Sequence, residues 1–323
     1  MDQRAYEFFS FPGYPKKPKR LAVILAGGEG SRLRSLTRKI TGDDRPKQFC
    51  PIIGDRTLLD ATRERVRSRI ATENTYFSLT SNHERFFKSP LWNVRPSQQI
   101  VQPENKGTAP AILYSLMRLR TLEPNAVVAF FPSDHYFTDD EAFMDRVDAA
   151  FDAIEIDQSS IVLLGIEADK PETSYGWIEP APSVFGGEPN SISRVGRFWE
   201  KPSIGIAKRL MASGCLWNSF VMVGRVDSFL DMFRRHLPEM FRMFNASKNM
   251  LGTSHEKPLV RSIYSWLNET NFSSDVLEKA TERLMVIRVG DVGWSDLGEP
   301  QRVMGTLGQL GIKPEWAISS LAA

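Results

Sequence analysis

Two aspartates and a group of cations beside a glycine-rich turn are the residues of this chain best suited to chemistry. The string R-L-A-V-I-L-A-G-G-E-G-S-R-L-R runs from Arg20 to Arg34, and D-R-P-K-Q-F-C-P-I follows from Asp44 to Ile52. Gly27, Gly28 and Gly30 let the backbone bend sharply and approach a ligand closely. Backbone N–H groups in such a turn can face phosphate oxygens, and Arg32, Arg34 and Lys47 add permanent positive charge beside them. The arrangement suits a polyphosphate, although a tight strand-to-helix turn with solvated basic residues accounts for the same letters. Asp134, in F-F-P-S-D-H, comes just past an apolar run, where ligands of open α/β sheets bind. Asp296 stands in G-W-S-D-L-G. Mg²⁺ is a hard ion held by one or two carboxylates plus substrate phosphates, so this pair would suffice for it. Taken singly, either aspartate is equally well a turn or capping residue. His135 has no second histidine near it, which argues against imidazole ligation.

Several function classes fall away. Gly28-Glu29-Gly30 matches the first half of a dinucleotide fingerprint, but Leu33 stands where the third glycine is due. That weakens a dehydrogenase reading, and the G-x-x-x-x-G-K-[ST] loop is absent too. The charge balance of 41 basic against 39 acidic residues gives no global argument for nucleic acid or a membrane surface. Cys50 and Cys215 lie far apart without metal spacing, as reduced core thiols would. The first residues do not open a signal peptide and no apolar run is long enough to span a bilayer, so the expected location is the cytoplasm.

The elements that must position these residues follow from periodicity. Apolar runs at 21–25, 76–79, 99–101, 127–131 and 161–166 alternate with helical patterns, which predicts a parallel sheet flanked by helices. Leu58, Leu59, Thr62 and Val66 share one helical face. Thr108-Ala109-Pro110 reads as a capped helix start with proline in the first turn, and Thr138 with Glu141 as a capping box. After Lys170 the texture becomes strand-like at 175–178, 191–199 and 217–223, with turns at Gly186-Gly187 and Gly214. Residues 225–244 and 262–267 read as helical, and 284–289 as a strand leading to Asp296. The expected division is a basic, proline-containing arm over 1–19, a catalytic domain over 20–305 and a short terminal segment over 306–323.

The string G-G-x-G-S-R-L with P-K-Q-F beyond it resembles the signature of sugar nucleotidyltransferases, and Gln48-Phe49 points to their mannose-1-phosphate guanylyltransferase branch. P-S-D-H and G-W-S-D-L-G look like that family's paired metal-binding aspartates. Tyr175-Gly176-Trp177-Ile178, Phe198-Trp199-Glu200-Lys201-Pro202 and Trp217-Asn218-Ser219 are similar to its Y-G-x-I, F-x-E-K-P and W-N-S-G segments, in the same order. The resemblance covers roughly residues 20–300. It implies an α/β fold of the nucleotide-diphospho-sugar transferase type, with a Rossmann-like, mostly parallel sheet flanked by helices and a mixed-sheet extension that binds the sugar.

The same resemblance implies the roles. Ala26, Gly27, Gly28, Gly30 and Ser31 would bind the nucleotide, with Arg32 and Lys47 as catalytic cations at the leaving pyrophosphate and the α-phosphorus. Asp134 and Asp296 would hold Mg²⁺. Gln102, Gly107 and Thr108 would lie beside the base; Gly176, Glu200 and Asn218 would contact sugar hydroxyls, and Lys201 the sugar phosphate. A sugar 1-phosphate is already an anion, so such a transfer needs position, metal and charge neutralisation rather than a general base.

Two letters depart from the branch, which often shows E-P-x-x-R-N-T-A-P-A: Gln102 replaces Glu, and Gly107 replaces Asn. Ser35 stands where proline is common, and the segment 39–44 is long and acidic. The expected reaction joins a nucleoside triphosphate, GTP favoured, to mannose 1-phosphate and releases pyrophosphate. Glucose 1-phosphate with UTP or dTTP, or a silent nucleotide-sugar-binding regulator, are the alternatives. Relatives carry a C-terminal isomerase domain or a left-handed β-helix; the letters after Gly298 leave room for neither, so a single-activity core is expected. Neither a nucleic-acid nor a membrane partner is expected, and a homo-oligomer is left open.

Overall fold

The computed structural model describes residues 17–182 and 192–318. The turn expected at Gly186-Gly187 and most of the N-terminal arm lie outside the described residues. Among the described residues nine strands form one sheet: β1 Arg20–Leu25, β2 Thr75–Thr80, β3 Gln99–Gln102, β4 Val127–Pro132, β5 Ile161–Glu167, β6 Gly176–Pro180, β7 Ile192–Glu200, β8 Leu216–Arg225 and β9 Leu284–Arg288. Their order is β3-β2-β1-β4-β8-β5-β9-β7-β6. Pairing is parallel across β3-β2-β1-β4 and again between β5 and β9, while β8 and β7 run against their neighbours. A further β6–β8 pairing, Trp177 opposite Trp217, closes the far half of the sheet into a ring.

Both faces of the sheet are covered, which is why β1 and β4 read as unbroken apolar runs and why even the polar letters of β2 are buried. Along β1 the side chains alternate: Leu21 and Val23 enter one core, Ala22 and Ile24 the other. Helices α1 Arg34–Thr41, α2 Leu58–Arg67, α3 Glu84–Phe87, α4 Thr108–Leu122 and α5 Asp140–Ile156 occupy the first half of the chain. The second half adds α6 Ile204–Ala212, α7 Val226–His236, α8 Pro238–Ala246, α9 Glu256–Trp266, α10 Phe272–Asp275, α11 Pro300–Gln309 and α12 Glu315–Ile318. Helices α4, α7 and α9 line the first core, whereas α2 and α5 line the second. A small third cluster joins Leu33 and Cys50 to Leu297, Val303 and Leu307, so α11 packs beneath the glycine-rich turn. Leu33 therefore does core work where a dinucleotide fold would place its third glycine.

Three local expectations need correction. The cap of α5 is Asp139, whose carboxylate accepts from Ala142 N at 2.9 Å; Thr138 Oγ1 instead reaches Gly293 O at 3.4 Å. An anionic cap suits the positive helix start, and it prevails over the neighbouring hydroxyl. Thr108 opens α4 but does not cap it: its hydroxyl accepts from Phe272 N at 2.8 Å, and Gly107 takes the cap position. The helical stretch read over 225–244 starts as the end of β8 and breaks into α7 and α8 at Pro238, which lacks the N–H needed to continue the first helix. Both cysteines are buried and free, and burial pushes their thiols up to about 12 and about 11. Among the described residues no helix is long and apolar enough to cross a membrane.

Candidate active site

The sheet order reverses at β1, whose chain partners β2 and β3 lie on one side and β4 on the other. At such a switch point the loops leaving the carboxyl ends of the strands diverge and open a crevice. A cleft of about 300 Å³ lies there, lined by Gly27, Gly28, Gln102, Gly107, Thr108 and Asp134 among others. Six residues proposed from the sequence thus share one cavity, although they span more than a hundred positions.

The glycine turn is held rigidly. Ala26 N donates to Ser78 O at 2.8 Å, while Gln48 Nε2 donates to Ala26 O at 3.1 Å and to Gly28 O at 2.8 Å. Gln48, quoted in the sequence only as part of a motif, is therefore the brace of the loop. A Cβ on Gly27 would lie 2.7 Å from Thr80 Oγ1 and 3.0 Å from Gln102 Nε2, so only glycine lets the loop settle over β2 and β3. Gly107 has φ +87°, and a Cβ there would lie 2.4 Å from Thr270 O. The residue that departs by letter from the family pattern is required by this packing.

Lys47 joins the two aspartate segments. It is only 7 % exposed, and its Nζ donates to Asp296 O at 2.5 Å and Leu297 O at 3.3 Å while lying 3.3 Å from Asp134 Oδ2. Tyr136 and Ser295 exchange both backbone hydrogen bonds at 2.9 Å, which zips the two segments side by side. Burial alone would raise the Asp296 carboxyl; the Lys47 charge, the Tyr175 phenol and Arg302 outweigh it and hold the group below the ordinary range. Its Oδ1 accepts from Tyr175 Oη and Arg302 Nη1 at 2.7 Å each and from Gly298 N at 3.0 Å. Arg302 also donates to Glu172 Oε2 at 2.7 Å, so it is anchored on both arms of its fork.

His135 lies against the same cluster. Burial drives its imidazole down to about 4, against the pull of the neighbouring Asp134 charge, so the ring is neutral at pH 7. Trp294 Nε1 donates to His135 Nδ1 at 3.2 Å, which assigns the ring proton to Nε2, 3.8 Å from Asp134 Oδ1. At that distance the neutral ring packs beside the carboxylate without a hydrogen bond to it.

The residues proposed for the sugar form a second group. Gly176 and Glu200 are cross-strand partners on β6 and β7, and a Cβ on Gly176 would meet Glu200 Oε2 at 3.0 Å. Burial raises the Glu200 carboxyl, with Lys201 pulling it back. Lys201 adopts φ +48° and lies 3.7 Å from Glu200 Oε1. Asn218 Oδ1 accepts from Phe220 N at 3.1 Å, at the irregularity of β8 that sends Phe220 into the first cleft. Tyr175, directly before Gly176, connects this group to Asp296. Ser31 and Arg32 stay exposed; the sole ion pair of Arg32 among the described residues is a 3.9 Å contact with Glu299.

Arg302, Tyr175, Trp294 and Phe220 were not singled out from the sequence, since each meets the site only through strand pairing or helix packing. Tyr175 and Trp294 lay inside quoted motifs, which was their one signal. For a divalent cation the donor set is Asp134, about one third exposed, and the remaining oxygen of Asp296. Among the described residues no three His, Cys, Asp or Glu side chains gather as a self-sufficient metal site. The oxygens present fit a hard ion that completes its shell with phosphates and water.

Comparison with known proteins gives concordant matches. A family model described as nucleotidyl transferase matches residues 21–306. The xanthan biosynthesis protein XanB of Xanthomonas campestris pv. campestris is 30 % identical over 290 residues, covering 86 % of this chain and 57 % of its own length. Mannose-1-phosphate guanylyltransferase ManC of Salmonella typhimurium is 28 % identical over 291 residues, covering 88 % of this chain and 58 % of its own. The chain thus spans little more than half the length of these relatives. A crystal structure described as mannose-1-phosphate geranyltransferase from Thermus thermophilus matches with a TM-score of 0.75 at 30 % identity, covering 87 % of this chain and 76 % of that one.

Proposed function

This chain belongs to the nucleotidyl transferase family, and from that premise we propose that it transfers a guanylyl group from GTP to mannose 1-phosphate, forming GDP-mannose and pyrophosphate. The observation that carries the reading is Lys47, buried where the glycine turn, the Asp134 segment and the Asp296 segment converge. A phosphate oxygen of the sugar 1-phosphate attacks the α-phosphorus in line, and the bond to the bridging oxygen of the β-phosphate breaks. No proton has to be removed, so no general base is needed.

The Lys47 ammonium, held by two carbonyls and Asp134, supplies fixed positive charge next to the reacting phosphorus. Arg32 is exposed and only loosely paired, free to neutralise the departing pyrophosphate. Asp134 and Asp296 would hold Mg²⁺, which supplies charge neutralisation and alignment of the phosphates. Arg302 and Tyr175 hold the Asp296 carboxylate in place, and the neutral His135 ring packs beside that of Asp134. Glu200, Asn218 and Gly176 offer acceptors and backbone approach for sugar hydroxyls, and Lys201 a cation for the sugar phosphate.

The same chemistry with UTP or dTTP and glucose 1-phosphate is the second reading, because Gln102 offers an acceptor that uracil and thymine can also use. Pyrophosphate release with Mg²⁺, over five nucleotides crossed with mannose and glucose 1-phosphates, separates the two. A maximum at GTP with mannose 1-phosphate is expected. A maximum with UTP or dTTP and glucose 1-phosphate moves the assignment to the second reading, and no release with any pair removes both.

A further inference from the structure

We propose that Arg302 is a positioning residue shared by the two halves of the site: one guanidinium holds the Asp296 carboxylate and also the segment that brings Gly176 and Lys201 to the sugar phosphate. The inference rests on the nucleotidyl-transfer reading above and deepens it, because it makes the cation side and the sugar side depend on a single support.

All four terminal N–H groups of Arg302 have partners. Nη1 donates to Asp296 Oδ1 and to Tyr175 Oη, each at 2.7 Å; Nη2 donates to Glu172 Oε2 at 2.7 Å and to Ser174 Oγ at 2.9 Å. The guanidinium also lies over the Tyr175 ring, 4.6 Å from its centre. Side-chain exposure is 10 % at Arg302, 15 % at Glu172 and 12 % at Asp296, so salt and water screen these charges little.

The segment on the Nη2 side is braced internally. Ser174 N and Oγ donate to Glu172 Oε1 at 3.0 and 2.9 Å, and Trp177 Nε1 donates to Glu172 O at 2.7 Å. Tyr175 O accepts from Lys201 N at 3.1 Å, and Gly176, next in the chain, pairs with Glu200 across β6 and β7. A displaced guanidinium therefore releases Asp296 at one end and, at the other, the backbone that carries Gly176 and is bonded to Lys201.

This geometry calls for arginine and not merely for a cation. A lysine ammonium offers three donors from one point, so it cannot meet four acceptors spread over both sides of a fork. On Asp296, Oδ1 is taken by Arg302, Tyr175 and Gly298 N, which leaves Oδ2 for a divalent ion. Placement of that one oxygen then depends on the anchoring of the other.

The test compares wild type with Arg302→Lys, which keeps the charge and loses the fork, and with Arg302→Met. Calorimetry follows binding of GTP in EDTA, of GTP with Mg²⁺, and of mannose 1-phosphate to GTP-saturated protein in EDTA, where no transfer occurs. If pyrophosphate release selects another pair of substrates, that pair takes their place. Both variants should bind GTP in EDTA as wild type does. The gain in GTP affinity on adding Mg²⁺ should fall by about tenfold, and mannose 1-phosphate should bind about tenfold more weakly. A merely structural role would weaken GTP in EDTA to the same degree and would be rescued by Arg302→Lys, and either result overturns the inference. So does an Arg302→Lys protein that matches wild type in the Mg²⁺ gain or in sugar-phosphate Kd. Wild type that binds GTP but takes up no sugar phosphate in EDTA overturns this inference alone, because the clamp forms without metal. Wild-type protein that binds neither ligand under either condition overturns the transfer reading as well.

Discussion

At the scale of single residues, the site depends on charges held in place rather than on a reactive nucleophile. Lys47 reaches its position by giving up solvent, and the two carbonyls and one carboxylate around it offset that loss. Lys47→Ala should lower kcat by about 100-fold, the loss typical of removing one fixed donor from a reacting oxyanion. The KM for sugar phosphate should move far less, and single-turnover kinetics separates the two. A change mainly in sugar-phosphate KM would remove Lys47 from the α-phosphate. Asp134→Asn should abolish Mg²⁺-dependent turnover while leaving the melting temperature near the wild-type value, because this carboxylate is partly exposed and lies outside the apolar cores. Lys47 and Asp134 were legible because each lies in a short recognisable string, that of Asp134 directly after the end of β4. Arg302 was not, since a guanidinium on an amphipathic helix has no local signature and gains its partners only when that helix docks.

At the scale of elements, the side of the cleft formed by Gly107 and Thr108 is only as firm as the contact between α4 and α9. Tyr114 Oη donates to Glu256 Oε1 at 2.7 Å, Arg118 pairs with the other oxygen, and Gly252 N donates to it at 3.0 Å. Arg118 and Glu256 retain 8 % and 10 % of their side-chain exposure, so removing one leaves a buried charge without its counter-ion. Glu256→Ala should cost about 3–5 kcal/mol by urea unfolding, against well under about 1 kcal/mol for removing an exposed partner such as Glu64. Equal small effects at both positions would show that α9 docks through its apolar face alone. Periodicity located this helix only over 262–267, whereas it spans Glu256–Trp266. Its first turns carry Lys257, Pro258 and an ion pair whose partner is far away in sequence, so the apolar stripe was too short to mark the start. The strand runs were easier to read, because burial on both faces demands unbroken apolar letters. The ring closure through β6 and β8 had no such signal, being a matter of which edges meet.

At the scale of the whole molecule, folding alters the proton affinity of several carboxylates, and the balance sets the response to acid. Asp43 is lowered to about 2 by its hydrogen bonds from Arg45, and Asp157 to about 2 by Ser160 and Ser159. Asp231 and Asp296 are also lowered, while burial raises Asp148 and Glu200. For a lowered group the unfolded chain binds more protons than the folded one between the folded value and the ordinary value of about 4. Its stabilisation is therefore complete above about pH 4 and is lost as pH falls toward about 2. The raised groups act in the opposite sense, favouring the folded state as they protonate, but they are fewer. The melting temperature should therefore fall steadily between about pH 4 and pH 2, and Asp157→Asn should make that slope shallower while barely changing the profile between about pH 6 and pH 8. A slope that persists unchanged in Asp157→Asn and in Asp43→Asn would assign the acid response to general charge repulsion. That outcome is testable against salt: repulsion among exposed like charges weakens as ionic strength rises, whereas loss of short hydrogen bonds to serine hydroxyls does not.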